Sequence, residues 1–288
     1  MSMFRRISAL VIVVVALLSA GGYVWYTKKA AAVFQVIFLD VGQGDGTLIT
    51  FSTGEKLLVD CGPDRKVVAE LGKVIPFYDR TIDYLLVTHF DLDHYGGCVD
   101  VLERYDVKHI ITNGITKPED AYWQVWNVAR EHERATTQVI EQAHRQVIGG
   151  QVFEFLSPDK HMVESIRMGS NNASVVFRLF SPTGETFLFT GDIEAVVEDA
   201  LVRRYCHDKE LPGAGCKALR ADILKVAHHG SDTSSREIFL SAVMPKVAVI
   251  SSGRHNRFGH PSLRTIRHLE RIGAAILRTD ELGAILKP

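Results

Sequence analysis

The chain has 288 residues, enough for one large domain or two small ones, and its 46% hydrophobic and 23% charged residues exclude disorder as the default state. A formal net charge of -1 argues against broad electrostatic capture of nucleic acid but leaves room for a local basic groove. Beyond Lys217 the chain is richer in basic residues (Arg220, Lys225, Arg254, Arg257, Arg264, Arg267, Arg271, Arg278), which keeps a phosphate-bearing substrate in view; for the last four, a solvated helix face is the alternative.

In chain order, Arg5 and Arg6 precede an apolar run from Ile7 to Ala20 that continues through Tyr26 to Lys28 and Lys29. A charged start and an apolar core of this length predict a signal anchor or a cleaved signal peptide over residues 1–32. The remainder is then exported, either held at the inner membrane facing the periplasm or released there. Phe34 to Val41 reads as a strand, followed by the loop Gly42-Gln43-Gly44-Asp45-Gly46 and two further strands, Thr47–Phe51 and Lys56–Asp60. No Gly-Lys-Ser/Thr follows the glycines and the next element is a strand, so no nucleotide cofactor is expected. Val67 to Ile75 has helical spacing and stops at Pro76.

The apolar run Tyr84 to Val87 reads as a buried strand, and Thr88-His89-Phe90-Asp91-Leu92-Asp93-His94-Tyr95-Gly96-Gly97 follows it directly. Two imidazoles and two carboxylates within six residues, at the carboxyl end of a strand, form a candidate metal site. A helix from about Gly97 to Tyr105, a strand at His109–Thr112, a helix from Glu119 to Gln138 with Trp123 and Trp126 in the core, and a strand at Val152–Leu156 come next. Ser174–Leu179 and Thr186–Thr190 form a hairpin, with Asp192 at its end and a helix from Ile193 to about Tyr205. Asp222–Ala227 is a strand ending in His228-His229-Gly230-Ser231. Lys246–Ile250 is another, leading to Gly259-His260-Pro261-Ser262 and a last helix. Cys206 and Cys216 flank a short Pro/Gly loop and are expected to form a disulfide, whereas Cys61 and Cys98 read as buried inert thiols. No low-complexity linker divides the chain, so residues 33–288 form one domain, two β-layers with helices outside.

Three strand ends therefore carry ligand-type residues: His89, Asp91, Asp93 and His94; Asp192; His228 and His229. Asp192 alone could be a helix N-cap, but a pair of divalent ions about 3.5–4 Å apart needs a bridging carboxylate and ligands from separate elements.

The cluster resembles the His-x-His-x-Asp-His signature of the metallo-β-lactamase superfamily. Residues 33–288 resemble the metallo-hydrolase domain of the ComEC competence family, on six segments in order: Leu39 to Asp45, Thr88 to Gly97, Asn171 to Ser174, Phe189 to Asp192, His228 to Ser231, and Gly259 to Ser262 with Arg278-Thr279-Asp280. The resemblance implies an α/β fold, a four-layer αβ/βα sandwich, preceded here by one N-terminal apolar helix. It also implies two divalent metal ions, Zn or Mn, with His89 and Asp91 on the first, Asp93 and His94 on the second, and Asp192 between them. His229 completes the second position and His228 faces the substrate, or the reverse. Asp60, Asn172 and Ser174 support the ligands from behind. Asp93 and His228 are the catalytic candidates; His228, Ser231, Thr233, Ser234 and His260 are the substrate-side ones, with a plain helix N-terminus the alternative for the Ser/Thr run and a turn residue the alternative for His260. Asp91 stands where the superfamily has a histidine, and the usual histidine before the bridging strand is replaced by the Asn171, Asn172 and Ser174 region. Both departures move the first position toward oxygen donors and a harder ion. The expected activity is hydrolysis of a phosphodiester, in DNA among other possibilities, by a metal-bridging hydroxide. Hydrolysis of a non-phosphate ester or lactone, and a non-catalytic accessory that binds DNA or a partner, are the alternatives.

Overall fold

The computed structural model describes residues 10–22, 32–159, 169–206 and 216–287. Residues 10–22 are helical, and among the described residues no helix is long and apolar enough to cross a membrane. The flanking parts of the expected signal segment, 1–9 and 23–31, and the loop 207–215 lie outside the described residues.

Fourteen strands among the described residues make two seven-stranded sheets. The first contains β1 (Gln35–Phe38), β2 (Gly46–Thr50), β3 (Lys56–Cys61), β4 (Thr81–Leu86), β5 (Asp106–Thr112), β6 (Thr136–Val139) and β14 (Ile285–Lys287), in the order β14-β1-β2-β3-β4-β5-β6. The second contains β7 (His144–Ile148), β8 (Gln151–Ser157), β9 (Val176–Phe180), β10 (Thr186–Phe189), β11 (Ile223–Lys225), β12 (Val247–Ile250) and β13 (Ala275–Arg278), in the order β13-β12-β11-β10-β9-β8-β7. Side-chain alternation explains why the sheets stack. Val36, Phe38, Leu57, Val59, Phe177, Leu179, Phe187 and Phe189 point into a shared core between the sheets. Their strand neighbours Ile37 and Leu58, and on the other sheet Val176 and Leu188, point outward under helices. A sheet buried on both faces needs near-continuous apolar strands, which is what these sequences supply. Phe177 and Phe189 stack at 4.8 Å between ring centroids, and Phe38 meets Phe189 across the layers at 6.0 Å.

Helices Lys66–Val74, Cys98–Arg104 and Ala121–His132 cover the first sheet, and Ala195–Tyr205, Glu237–Val243 and Leu263–Arg271 the second. The four-layer sandwich is thus the observed fold, and Trp123 and Trp126 are buried in it as expected.

Two expectations are corrected. The helix expected over Glu119–Gln138 ends at His132, because Arg134 adopts a left-handed backbone (φ 54°) and the β-branched pair Thr136-Thr137 joins β5 as a parallel strand. Cys61 and Cys98 are not free thiols. They form a disulfide with Cα atoms 5.1 Å apart, because parallel pairing of β3 with β4 brings the end of one strand beside the helix that follows the other. The second disulfide, Cys206–Cys216, is present as expected, and among the described residues there are no free cysteines.

Candidate metal centre

The parallel strands β3 and β4 of one sheet and β10 and β11 of the other release their carboxyl ends at one rim of the sandwich. Asp60 closes β3, His89 to His94 follow β4, Asp192 follows β10, and His228 and His229 follow β11. The turns that present them are unusual. Asp60, His228 and His229 all have positive φ (56°, 51° and 53°), a region costly for residues with a Cβ and found where surroundings dictate it. Gly191, before Asp192, has φ +49°, and a Cβ there would lie 2.7 Å from the Ser174 Cβ. Glycine is what lets Asp192 and Ser174 approach.

Asp192 is the point of convergence. Its Oδ1 lies 3.2 Å from His94 Nε2 and its Oδ2 3.3 Å from His229 Nε2; Asp93 Oδ2 lies 3.2 Å from that same His229 nitrogen. Each imidazole is held from behind through its other nitrogen. His94 Nδ1 is 2.8 Å from Asp60 Oδ2, and Asp60 is itself fixed by the Thr88 N–H and hydroxyl, each donating at 2.7 Å. His229 Nδ1 donates to the Ser251 carbonyl at 3.0 Å and lies 3.1 Å from Asp45 Oδ1. Asp45 is balanced in turn by the buried Lys225, whose Nζ is 2.6 Å from Asp45 Oδ2. Backing of this kind fixes the tautomer and aims Nε2 at the centre.

The electrostatics follow from burial and proximity. Burial, aided by adjacent His94, pushes His89 down to about 3, so it is a neutral donor. Burial would also neutralise His94 and His229, but the surrounding carboxylates, Asp192 first, outweigh it and hold both well above the ordinary histidine value. Burial likewise opposes the charge on Asp192, yet the two imidazoles keep its pKa well below the carboxylate range. Asp93 is lowered against burial, chiefly by its contact with His229.

The donor set fits a cation. Asp45, His94, Asp192 and His229 are all buried and each offers an atom within 4.8 Å of the others. His89 Nε2 is buried without a hydrogen-bond partner, while His94 Nε2 and Asp192 Oδ1 meet at 3.2 Å. A buried polar atom left unpaired is costly in a native fold, and a coordinated ion would answer both that nitrogen and the carboxylates around it.

Residues 39–254 match the sequence profile of the metallo-beta-lactamase superfamily. The chain belongs to the metallo-β-lactamase superfamily. It is 31% identical over 270 residues to ComE operon protein 3 of Bacillus subtilis, and 32% identical over 265 residues to Recombination protein 2 of Haemophilus influenzae. Those alignments cover 87% and 90% of this chain but only 32% and 29% of the relatives. It is a ComEC-type metallo-β-lactamase domain, spanning about a third of the curated relatives it matches. Among solved structures, CmlA, a diiron β-hydroxylase from Streptomyces venezuelae, superposes with a TM-score of 0.55 at 12% identity, over 88% of this chain and 54% of that one. That likeness concerns the fold alone.

Within this metallo-β-lactamase domain the residues singled out by sequence do not all reach the centre. Asp93, His94, Asp192 and His229 meet at the centre, with Asp60 behind them. His89 faces the same space with a free Nε2; its Nδ1 lies 3.1 Å from the Thr88 hydroxyl and 3.2 Å from that of Ser174, which also accepts the Asp192 N–H. Asp91 is at the edge, its Oδ2 3.8 Å from His89 Nε2 and its Oδ1 held by Lys117. Between the two histidines of the pair, His229 is at the centre and His228 at the rim, with Nε2 3.9 Å from Asp192 Oδ2 and Nδ1 3.1 Å from the Thr233 hydroxyl. The His260 ring sits beside both, 5.6 Å and 6.4 Å between centroids. Asn172 braces Glu194 through both ends of its amide. Ser231 is buried, and Ser234 is not brought to the cleft: its hydroxyl donates at 2.8 Å to the Ile193 carbonyl inside the fold. Asp192 is no helix cap, since the helix begins at Ala195 after Glu194.

Sequence reasoning missed Asp45, Lys225 and Lys117. A carboxylate between two glycines at a strand start, and a lone lysine in the apolar run Ile-Leu-Lys-Val-Ala, were the available signals. A buried lysine requires a counter-ion.

Proposed function

We propose that this domain hydrolyses phosphodiester bonds with divalent metal ions, with DNA as the first substrate to test. The observation that supports the reading best is the donor set around Asp192: three carboxylates (Asp91, Asp93, Asp192) stand with three imidazoles (His89, His94, His229), and Asp91 takes the place of a nitrogen donor. That favours a hard ion such as Mn²⁺ and phosphate-oxygen ligands. Two relatives' names, Competence protein ComA of Neisseria gonorrhoeae and Recombination protein 2, direct attention to DNA.

His89, Asp91, Asp93, His94, Asp192 and His229 would hold the metal. When bound, it supplies Lewis acidity at the phosphoryl oxygens and an acidified water. The chain does the rest. Asp60 and Asp45 keep His94 and His229 aimed inward, so no imidazole must turn during reaction. Asp93, a third exposed, is placed to take a proton from the attacking water. His228, steadied by Thr233 and partly exposed, is placed to donate toward a phosphate or leaving oxygen, with His260 beside it. Export is part of the proposal, supported by two disulfides and no free cysteine among the described residues and by the apolar N-terminal run. Attachment to a membrane through that run belongs to the same proposal.

The test is hydrolysis of bis-p-nitrophenyl phosphate and single-stranded DNA, against p-nitrophenyl acetate and a homoserine lactone, with Mn²⁺ or Zn²⁺ supplied. Turnover of the phosphodiesters that vanishes in Asp192→Asn supports the proposal. Preference for ester or lactone moves the assignment to carbonyl chemistry. A folded protein that binds no metal and turns over nothing sinks both, leaving an accessory role.

A further inference from the structure

Among the residues that would hold the metal, Asp91 carries a lysine ammonium. Lys117, on the loop between β5 and the helix Ala121–His132, places its ammonium on Asp91 Oδ1. Ser170 adds a hydrogen bond to the same side chain. The other oxygen, Oδ2, faces His89 Nε2 at 3.8 Å. His89 is fully buried and that nitrogen has no partner. Two donors 3.8 Å apart can both reach an ion that sits about 2.0–2.2 Å from each. A position for a cation therefore exists between His89, Asp91 and the Asp192 side of the centre, and Lys117 holds one of its ligands.

The neighbouring position is built differently. His94 and His229 turn Nε2 toward Asp192, with Asp60 and Asp45 behind them on Nδ1. The lysine on that side, Lys225, meets Asp45 on the oxygen away from His229 and is buried. It offsets a supporting carboxylate and does not lie on Asp192 or Asp93. One position is thus preorganised and the other obstructed by a long, flexible, partly exposed side chain.

We propose that Lys117 is a built-in rival for the ion at the His89–Asp91 position, so that this position fills second and only by displacing the ammonium. The inference rests on the metal-hydrolase reading above. A part-buried ion pair must be broken, and the freed ammonium stays near a divalent ion of the same sign, so entry is disfavoured twice. The two ions should bind with well-separated affinities.

Isothermal titration with Mn²⁺ of the whole chain, with bound ion counted by mass spectrometry after desalting, tests this without any activity assay. The expected wild-type result is one tight ion and one weak or undetected. Lys117→Met removes the charge while keeping the chain length, and should tighten the weak step roughly tenfold or more while leaving the tight step alone. Lys117→Arg keeps the charge and should keep the weak step weak. Asp91→Asn should abolish the weak step and spare the tight one. Two ions of equal affinity in the wild type, or a weak step that Lys117→Met leaves unchanged or weakens, overturns the inference while sparing the metal-hydrolase reading. No ion bound by any variant overturns both. Lys117 is about a quarter exposed, and a thermal melt of each variant confirms that the fold is retained.

Discussion

Asp192 is the residue on which the two halves of the centre meet, since His94 comes from the first sheet's rim and His229 from the second's. Asp192→Asn should remove hydrolysis and lower Mn²⁺ affinity by at least about tenfold, as one carboxylate charge is lost from a buried donor set; titration calorimetry together with phosphodiester turnover checks it. Asp45 and Lys225 make a sharper case, because Asp45 backs His229 on Nδ1 and Lys225 sits on the other Asp45 oxygen. Lys225→Met strands a buried carboxylate and should cost about 3–5 kcal/mol of stability, whereas the neutral pair Lys225→Met/Asp45→Asn should recover most of it. Denaturant unfolding of the single and double variants distinguishes them. At this scale the sequence is most legible where ligand types are dense. The run from His89 to His94 declares itself, while Asp45 becomes interpretable only once stacking of the two sheets brings Lys225 onto it.

The loops that carry the centre are each tied down by something behind them. The Cys61–Cys98 disulfide joins the end of β3, one residue past Asp60, to the helix that starts four residues after His94. Replacing both cysteines with alanine should cost about 2–4 kcal/mol, read as a lowered unfolding midpoint, and should loosen the Asp60–His94 contact enough to weaken metal binding. The loop holding His228 and His229 is tied by Glu198, a buried carboxylate that accepts the backbone N–H groups of Ser235 at 2.6 Å and Arg236 at 2.9 Å. Burial pushes Glu198 up to about 7, above its ordinary 4.5, against those two donors. A carboxyl with a raised folded pKa favours the folded state when protonated. Its contribution is complete below about pH 4.5 and is lost as pH rises through 7, up to about 3 kcal/mol in all. Glu198→Gln should be less stable overall but flat over that window, and melts from pH 4.5 to 8 compare the slopes. Long apolar elements were legible from their periodicity. The short strands β6, β7, β13 and β14 were not, because three to five residues are too few to carry a pattern, and sheet pairing holds them in place.

For the whole molecule, the sandwich positions two sets of strand ends against each other, and the large core between the sheets sets the relation of the two rims. Phe177 stacks against both Phe153 and Phe189 in that core; Phe177→Ala should cost about 3–5 kcal/mol, and a fall in metal affinity alongside the fall in melting temperature would show that the layers hold the centre's spacing. The fold class was legible in the order of elements and in the resemblance they carry. The closing of the first sheet was not. β14, the last strand, lies antiparallel to β1, the first, with Val36 opposite Lys287. The chain therefore enters and leaves this unit side by side, at the end of β1 remote from Asp60 and Asp192. In engineering terms the unit behaves as a cassette with both leads on one edge: a short linker could join them, new ends could be opened in an exposed turn, and a fused partner at either lead would hang clear of the cleft.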